Sequence, residues 1–353
     1  MEAWIGVPLW QWAVFIVSIL FFLALDLGVF HRKAHVVGFR EALAWTSLWV
    51  SLSLLFGLVL APRMVSGWTR QETMEYVTGY LVELSLSMDN VFVIAMIFAY
   101  FRVPPQYQHR VLFWGILGAL IMRGIMIAAG AALVQRFLWT LYFFGAFLVV
   151  TGIRMLFARE EGVHPERNPV IRAARRWFPV TPDYVGQRFL VRWNGRLAIT
   201  PLMLVLLMVE TTDLIFAVDS IPAIFGITKK PFIVFTSNVF AILGLRSLYF
   251  VLANLISLFR YLKTGLSVVL VFIGVKMLLD PHGQTPDWWQ YDIPTTVALL
   301  VVVSILSLSI LASVIHGLLE RSPKAESGAV PPPRLLRPAP RDRGSGCRCD
   351  SRT

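Results

Sequence analysis

The sequence predicts an all-α polytopic membrane protein with about nine transmembrane helices. Of its 353 residues, 57% are hydrophobic and only 15% are charged, whereas a soluble globular chain carries about 25% charged residues. The apolar residues come in blocks of roughly 20, the length at which an α-helix crosses a bilayer. The mean hydropathy of +0.67 excludes a single water-soluble domain. We therefore expect the lipid bilayer to surround most of the chain.

The predicted spans follow the apolar blocks, and their boundaries are accurate to a few residues. We divide the chain into a transmembrane domain at 1–318, with a polar loop at 158–198, and a tail at 319–353. The tail is rich in Pro, Arg, Gly and Ser, and it is predicted to be disordered because it cannot bury enough apolar surface to fold. The spans cover 9–30, 42–61, 74–99, 110–133, 138–157, 199–221, 231–254, 258–279 and 293–316.

The polar loop carries one local signal. Two short strand-like runs, Phe189–Trp193 and Arg196–Ile199, flank Asn194-Gly195, a dipeptide that favours a two-residue hairpin turn. We expect a small cytoplasmic hairpin that leads into the sixth helix and serves as a structural lid or anchor.

The distribution of basic residues predicts the orientation of the chain. Nine spans place the termini on opposite sides, and most of the 32 Lys and Arg residues lie on the side of the C-terminus. The positive-inside rule then places the N-terminus outside and the C-terminus in the cytoplasm. This asymmetry accounts for the net charge of +11, so no nucleic-acid partner is expected. Met1–Pro8 lacks the basic region of a signal peptide, so the first block is expected to remain as a helix.

The third and sixth predicted helices carry similar acidic patterns. In each helix two acids lie six positions apart, and a small polar residue follows the second acid. Chance similarity between apolar segments is the alternative explanation. The residues are Glu83, Asp89 and Asn90 in the third helix, and Asp213, Asp219 and Ser220 in the sixth.

The next helices also match in order. The fourth contains Arg123 and the seventh Arg246, while Gly152–Leu156 of the fifth resembles Gly274–Leu278 of the eighth. Because the third and sixth helices run in opposite directions, helices 3–5 and 6–8 form a predicted inverted three-helix repeat. Such repeats are typical of secondary transporters, which bind substrate near the midplane between the two halves.

Ionisable residues within the spans are the candidates for function, because a charge at a helix centre costs about 2.5–3.5 kcal/mol on insertion scales. Six acids against four bases leave a formal charge of −2 if all are ionised. A divalent cation would neutralise that charge, and protonated carboxylates are the alternative. Asp26 is peripheral to the repeat, and snorkelling or ion pairing is the simpler role for Arg154 and Lys276. The acids are Asp26, Glu83, Asp89, Glu210, Asp213 and Asp219, and the bases are Arg123, Arg154, Arg246 and Lys276.

The acid spacing in the sixth helix predicts an interruption. Glu210 and Asp213 share a face because they lie three positions apart, whereas Glu210 and Asp219 would lie on opposite faces of an ideal helix. Pro222 removes a backbone donor and crowds the carbonyl of residue 218. We therefore expect this helix to be broken or widened near Asp219, with carbonyls freed as ligands. The repeat extends the same expectation to the third helix.

The candidate ligands favour a hard cation. Carboxylate, amide, hydroxyl and carbonyl oxygens suit Mg²⁺, Ca²⁺ or Mn²⁺. No histidine lies mid-span and no predicted span contains cysteine, which disfavours zinc and copper(I). Met88 and Met208 flank acids, and a thioether could favour manganese, although packing is their simpler role. The proposed metal ligands are Asp89, Asp219, Glu83, Glu210 and Asp213, together with Asn90 and Ser220, and Arg123 and Arg246 would balance the carboxylates.

Several segments carry a family resemblance. Thr78–Phe92 resembles the first signature of the TerC/Alx family of integral membrane proteins, and Glu210–Ala223 resembles the second. Pro231–Arg246 and Gly274–Leu278 also match. The likeness covers roughly residues 10–318 and is closest to the Alx-like branch, whose genes are often riboswitch-linked. The resemblance implies a bacterial inner-membrane protein associated with manganese export and, historically, with tellurite resistance.

The leading expectation is a secondary transporter that exports Mn²⁺, with no tightly bound cofactor. Exchange of a metal for a proton at the carboxylates offers one driving force, proton antiport. One alternative is a metal-delivery factor that loads Mn²⁺ into exported metalloenzymes, with the secretion machinery as a partner. The sequence lacks a Walker A loop, a zincin motif and a nucleophile elbow, so we do not expect an enzyme. An intramembrane enzyme that uses Asp89 and Asp219 as an acid/base pair is the remaining alternative.

Overall fold

The chain is seen in a computed structural model that describes residues 3–4, 7–25, 38–157, 165–193, 195–253, 261–280, 290–291 and 293–321. Within this part of the chain the fold is almost entirely helical. Among the described residues, eight helices are long and apolar enough to cross a membrane, and a shorter apolar helix precedes them. The all-α membrane architecture predicted from the sequence is therefore confirmed. Asp26 and residues 322–353 of the predicted tail lie outside the described residues.

Each predicted span corresponds to a helix. The long helices are α1 (Leu9–Leu25), α2 (Phe39–Met64), α3 (Arg70–Tyr100), α4 (Pro105–Arg136) and α5 (Trp139–Phe157). A short helix, α6 (Pro169–Trp177), then precedes α7 (Pro201–Phe225), α8 (Pro231–Ala253), α9 (Leu262–Leu279) and α10 (Thr295–Arg321). Strands β1 (Ala3–Trp4) and β2 (Val7–Pro8) pair near the N-terminus, and β3 (Leu190–Trp193) pairs with β4 (Arg196–Ile199) before α7.

The sequence marks the beginnings of several helices. Thr69 caps α3, because its Oγ1 accepts a hydrogen bond from the Glu72 amide at 3.4 Å while the Glu72 carboxylate accepts the Thr69 N–H. Pro105, Pro201 and Pro231 occupy the first positions of α4, α7 and α8. A proline costs no intrahelical hydrogen bond there, since the first N–H groups of a helix have no partner in the helix.

The expected interruption near Asp219 is wrong. Helix α7 runs without a break from Pro201 to Phe225, with Pro222 inside its last turn, and α3 is also continuous. A single missing N–H close to a helix end is tolerated without a break. The widened segment lies instead in α2, where Phe56–Leu60 forms a π-helical stretch ahead of Pro62, as is common where a proline disturbs the hydrogen-bond ladder.

Helix α8 is the central helix of the bundle. Of the most apolar window within its span Pro231–Leu252, 94% is buried, and α8 packs against α2, α3 and α4. Aromatic side chains attach α1 to it, since the Trp12 ring meets the Phe232 ring edge-on with centroids 5.1 Å apart. The polar residues of α8 are therefore shielded from lipid and available only to neighbouring helices.

Helices α5 and α9 approach each other closely through glycines. A Cβ atom on Gly274 would lie 2.7 Å from the Gly145 carbonyl oxygen, and one on Gly152 would lie 2.9 Å from the Ser267 carbonyl oxygen. The predicted repeat pairs Gly152 with Gly274, and the same separation in sequence pairs Gly145 with Ser267. The contact of Gly274 with Gly145 is then the repeat-related counterpart of the contact of Gly152 with Ser267. The predicted repeat also pairs α3 with α7 and α4 with α8, so the packing of α3 against α8 corresponds to the packing of α7 against α4. The inverted repeat itself stays a prediction.

The segment between α5 and α7 covers one end of the bundle, which we call the hairpin end. Strands β3 and β4 pair antiparallel with Trp193 opposite Arg196, and Gly195 in the turn has φ of +76°. On α6, Ile171 is buried in a core with residues of α3, α4, α7 and α8. The loop is thus fastened to the bundle on the side where α3 ends.

The glycine contact between α5 and α9 gives a stability prediction. Gly274→Ala should lower the melting temperature in detergent, because the new methyl group meets backbone atoms of α5 and overpacking costs about 1–3 kcal/mol. Gly38→Ala is the control, since nothing lies within 4 Å of a Cβ at that position. Equal melting temperatures for the two variants would contradict the close approach.

Candidate functional site

A buried arginine lies at the centre of the site. Helix α4 carries Arg123 to a position between α3 and α7, where its Nη1 group forms an ion pair with Glu83 Oε1. The same guanidinium holds Asp213 with two hydrogen bonds, Nη2 to Oδ1 at 3.0 Å and Nε to Oδ2 at 3.3 Å. This two-pronged contact fixes the carboxylate in the guanidinium plane. One arginine therefore joins an acid from each of the two acidic helices.

Three further polar side chains complete this group, which we call the Arg123 cluster. Arg123 Nη1 also donates to Ser220 Oγ and to Asn238 Oδ1, both at 3.4 Å. Asn90 Nδ2 donates to Asp213 Oδ1 at 3.4 Å. The cluster thus draws on four helices, α3, α4, α7 and α8. Its members are Glu83, Asn90, Arg123, Asp213, Ser220 and Asn238.

The Arg123 cluster is deeply buried, and this strengthens its electrostatics. The exposed fractions of the Glu83, Arg123 and Asp213 side chains are 0%, 2% and 12%. Charges in such an environment persist only when they are paired and hydrogen-bonded. With both carboxylates ionised, one guanidinium leaves the group with a formal charge of −1. The cluster can therefore accept further positive charge.

Two oxygens of the cluster have no hydrogen-bond partner in the described part of the chain. They are Glu83 Oε2 and Asn90 Oδ1, and their residues are 0% and 4% exposed. Buried polar atoms without partners are uncommon, and each calls for an explanation. Both atoms are acceptors, which a cation or a hydrogen-bond donor could satisfy. Asn238 Nδ2 of the same cluster is a donor that also has no partner in the described part of the chain.

The other predicted ligands lie around this cluster. Glu210 is half-buried on α7, and its carboxylate packs against Gly118 of α4, where a Cβ atom would overlap it. Asp89 and Asp219 are half-buried on α3 and α7. Within the described residues, no three His, Cys, Asp or Glu side chains already converge as a metal site. An unbroken α7 explains this, since it points Glu210 and Asp219 in different directions.

The predicted charge-balancing residues divide into two kinds. Arg123 belongs to the cluster and Arg246 is buried on α8. Lys276 instead forms an ion pair with Asp280 at 3.3 Å, one turn further along α9, and Arg154 is exposed. Met208, for which packing was the simpler expected role, accepts a hydrogen bond from Asn168 Nδ2 at 3.3 Å, so its sulfur connects α7 to the loop that covers the hairpin end.

Sequence reasoning missed two buried polar residues. Asn238 is fully buried on α8 and is not among the ligands that the sequence predicts, although an amide in an apolar helix is a recognisable signal. Glu75 also lies inside the third predicted span, near its beginning, and is an acid in addition to the six considered above. Its carboxylate accepts hydrogen bonds from Thr228 Oγ1 at 2.6 Å and from Gln71 Nε2 at 3.2 Å.

Glu75 belongs to a second polar group, at the end of the bundle opposite the hairpin. There Glu72 forms an ion pair with Lys230, which follows α7. Together with the hydrogen bond from Thr228 to Glu75, this ion pair connects the beginning of α3 to the α7–α8 connection. The group therefore ties the two acidic helices together at their outer ends, apart from the Arg123 cluster.

The fold and the site define the class of this protein. It is a multi-pass integral membrane protein with a buried charged cluster among its spans. The TerC family of integral membrane proteins matches residues 68–319, and the chain belongs to this family. The family resemblance predicted from the sequence is confirmed.

Relatives extend the match over most of the chain. An uncharacterised membrane protein of Myxococcus xanthus is 50% identical over 309 residues, which is 87% of this chain and 92% of that protein. The Alx protein of Salmonella typhi is 46% identical over 87% of this chain and 94% of its own length. Alx of Escherichia coli K12 is 47% identical over 86% and 93%. No solved structure matches the chain.

The hydrogen bond to Glu75 gives the second prediction. Thr228→Val keeps the side-chain shape but leaves one Glu75 oxygen without its donor, which should cost about 1–3 kcal/mol and lower the melting temperature. Thr151→Val is the control, because the Thr151 hydroxyl donates only to a carbonyl of its own helix. If both variants melt at the same temperature, Glu75 does not depend on Thr228.

Proposed function

We propose that this protein is a secondary transporter that exports a divalent cation from the cytoplasm, with Mn²⁺ as the preferred substrate. The observation that carries the proposal is the Arg123 cluster, a buried group in which one arginine contacts carboxylates from both α3 and α7. Buried ionisable groups within a membrane protein are costly, and they typically mark ion pathways. Glu83 and Asp213 are the central ligands in this proposal.

The oxygen chemistry of the cluster supports a hard cation as substrate. Glu83 Oε2 and Asn90 Oδ1 are the acceptor atoms without partners described above, and Asp213 adds a second carboxylate beside them. Carboxylate and amide oxygens are the ligands that Mn²⁺, Mg²⁺ and Ca²⁺ prefer. Mn²⁺ is chosen over the other two because of the resemblance to the manganese-associated branch of the family.

The acids of α7 supply a route through the protein. Glu210, Asp213 and Asp219 extend over about 14 Å of helix at 1.5 Å per residue. Asp213 lies in the Arg123 cluster, while half-buried Glu210 and Asp219 flank it on either side along the helix. Asp89 on α3 takes the position that corresponds to Asp219. In the proposal, these flanking carboxylates pass the cation to and from the central pair.

Alternating access would use the two halves of the bundle. The glycine approaches between α5 and α9, and the pairing of α3 with α8 and of α4 with α7, fit two equivalent units that rock against each other. Lys and Arg distribution supports an orientation with the N-terminus outside and the C-terminus in the cytoplasm of a bacterial inner membrane. The hairpin end then faces the cytoplasm.

A second candidate follows from the relatives. The provisional description of the Alx proteins of Salmonella typhi and Escherichia coli is membrane-bound redox modulator. A direct thiol reaction in this chain would use Cys347 and Cys349, its only cysteines. Replacing both with alanine separates the candidates, because a transporter that uses the Arg123 cluster should retain its full flux.

Transport is tested in proteoliposomes. Wild-type protein should carry Mn²⁺ across the membrane, and Asp213→Asn and Glu83→Gln should each reduce the flux by about tenfold or more, which equals about 1.4 kcal/mol of lost stabilisation. Asp89→Asn and Asp219→Asn should reduce it as well. Asp183→Asn, in the exposed loop before β3, is the control. A folded wild-type protein without flux under imposed pH and voltage gradients would contradict autonomous transport and favour metal delivery to exported enzymes.

Proton coupling follows from the same carboxylates. If each exported cation is exchanged for protons, an imposed pH gradient that is acidic on the side opposite the hairpin end should accelerate Mn²⁺ movement away from the hairpin end, and a protonophore should abolish the acceleration. Flux measured with a Mn²⁺-sensitive dye inside the vesicles reports the rate. Flux that is indifferent to the gradient would exclude antiport while leaving transport itself intact.

Glu210 can be tested without altering any proposed ligand. Gly118→Ala places a methyl group where the Glu210 carboxylate now packs, so Glu210 must move and Mn²⁺ transport should fall severalfold. Gly124→Ala on the same helix is the matched control, because its methyl group would only touch Phe235 at 3.5 Å. Equal flux in the two variants would remove Glu210 from the route.

A further inference from the structure

We infer that Arg123 is a tethered cation that competes with the transported metal for Glu83 and Asp213. The guanidinium and the metal would occupy the space between these two carboxylates in turn. This inference rests on the proposed function, and it deepens that function by assigning a role to Arg123 beyond balancing charge. An arginine that only orients the carboxylates would help metal binding, whereas a competitor opposes it.

The first argument is position. Arg123 touches Glu83 Oε1 through Nη1 and both oxygens of Asp213 through Nη2 and Nε. These contacts use three of the four carboxylate oxygens, and only Glu83 Oε2 has no partner in the described part of the chain. A metal bound by both carboxylates needs the oxygens that the guanidinium now holds. The two cations cannot share those oxygens at full coordination.

The second argument is charge. The cluster lies in a buried environment of low dielectric, where like charges repel far more strongly than in water. A divalent cation and a guanidinium within a few ångströms of each other would together exceed the two negative charges of Glu83 and Asp213. The favourable states hold one cation or the other. Binding of the metal should therefore move the guanidinium away from the carboxylates.

The third argument is that the guanidinium has acceptors in the cluster other than the two carboxylates. Asn238 Oδ1 and Ser220 Oγ each accept a hydrogen bond from Arg123 Nη1 at 3.4 Å, and neither is a carboxylate. Both residues are fully buried. These acceptors would keep the arginine hydrogen-bonded when the metal takes the carboxylates. The competition thereby gives a function to Asn238, which ligand chemistry alone does not require.

Competition between Arg123 and the metal would affect the step in which the metal-free transporter returns to face the cytoplasm. Two buried carboxylates without a cation would repel each other, and their desolvation would be uncompensated. With Arg123 between them, most of this repulsion is removed, and the metal-free protein has a compact, largely compensated centre that can change its orientation. The arginine would therefore be required for net export. It would not be required for exchange of one metal ion for another, in which every crossing is made with metal bound.

The experiment compares Arg123→Gln with wild type in two assays. Mn²⁺ affinity is titrated in detergent by electron paramagnetic resonance of the free ion, and net export and Mn²⁺/Mn²⁺ exchange are measured in proteoliposomes. Arg123→Gln should bind Mn²⁺ about tenfold more tightly or better, retain exchange and lose net export. Arg136→Gln, an exposed arginine at the end of the same helix, is the matched control and should match wild type in all three measurements.

A small-molecule assay keeps the inference testable if Arg123→Gln is poorly folded. In Arg123→Ala, added guanidinium ion can enter the space left by the side chain, and it should weaken Mn²⁺ binding competitively. The same addition should leave the wild type unchanged, because its own guanidinium occupies the position. Arg123→Lys should be folded, bind Mn²⁺ with intermediate affinity and retain part of the net export, since it keeps the charge without the two-pronged geometry.

The outcomes separate this inference from the proposed function. Unchanged or weaker Mn²⁺ binding in folded Arg123→Gln, with wild-type transport intact, overturns the competition and leaves an orienting arginine. The competition is also overturned if Arg123→Gln loses exchange and net export to the same extent. If neither wild type nor any variant binds Mn²⁺, the proposed function fails and this inference fails with it.

Discussion

The buried charge of Arg123 is the constraint on which the organisation of the site depends. A guanidinium that is 2% exposed needs partners for its charge and its donors, and these partners come from α3, α7 and α8. The arginine thereby fixes the relative position of four helices. Replacing either carboxylate would leave part of the buried charge of Arg123 uncompensated. The cluster therefore specifies both the helix packing and the polar chemistry of the interior.

Small residues make this arrangement sterically feasible. Gly118 gives the Glu210 carboxylate room beside α4, and Gly145 and Gly274 bring the backbones of α5 and α9 together. In a bilayer the association of helices depends on such close packing, because lipid is as apolar as the side chains it would replace. Glycines and charges therefore act together, the glycines by admitting close approach and the charges by choosing which faces meet.

Polar contacts also fasten the bundle at both ends. Glu75 lies about 12 Å along α3 from Glu83 at 1.5 Å per residue, and its bond from Thr228 joins α3 to the α7–α8 connection. At the hairpin end, Asn168 reaches Met208, only five residues before Asp213 on α7. A displacement of α7 relative to α3 would alter contacts at both ends as well as in the Arg123 cluster, and this connects the site to the loop that covers it.

The sequence by itself determined the class of fold, the helices and most of the members of the cluster. Blocks of apolar residues form helices in a bilayer, and Glu83, Arg123 and Asp213 stand out within them because charge is costly there.

Tertiary structure decided which charges meet. Only packing shows that Arg123 holds both Glu83 and Asp213, that Asn238 joins them and that Lys276 pairs elsewhere. Helical spacing and Pro222 together predicted a break near Asp219, but the N–H that is missing so close to a helix end did not cause one. Which ionisable side chains pair with each other depends on how the helices pack together, and the residue pattern along a single helix carries no information about that packing.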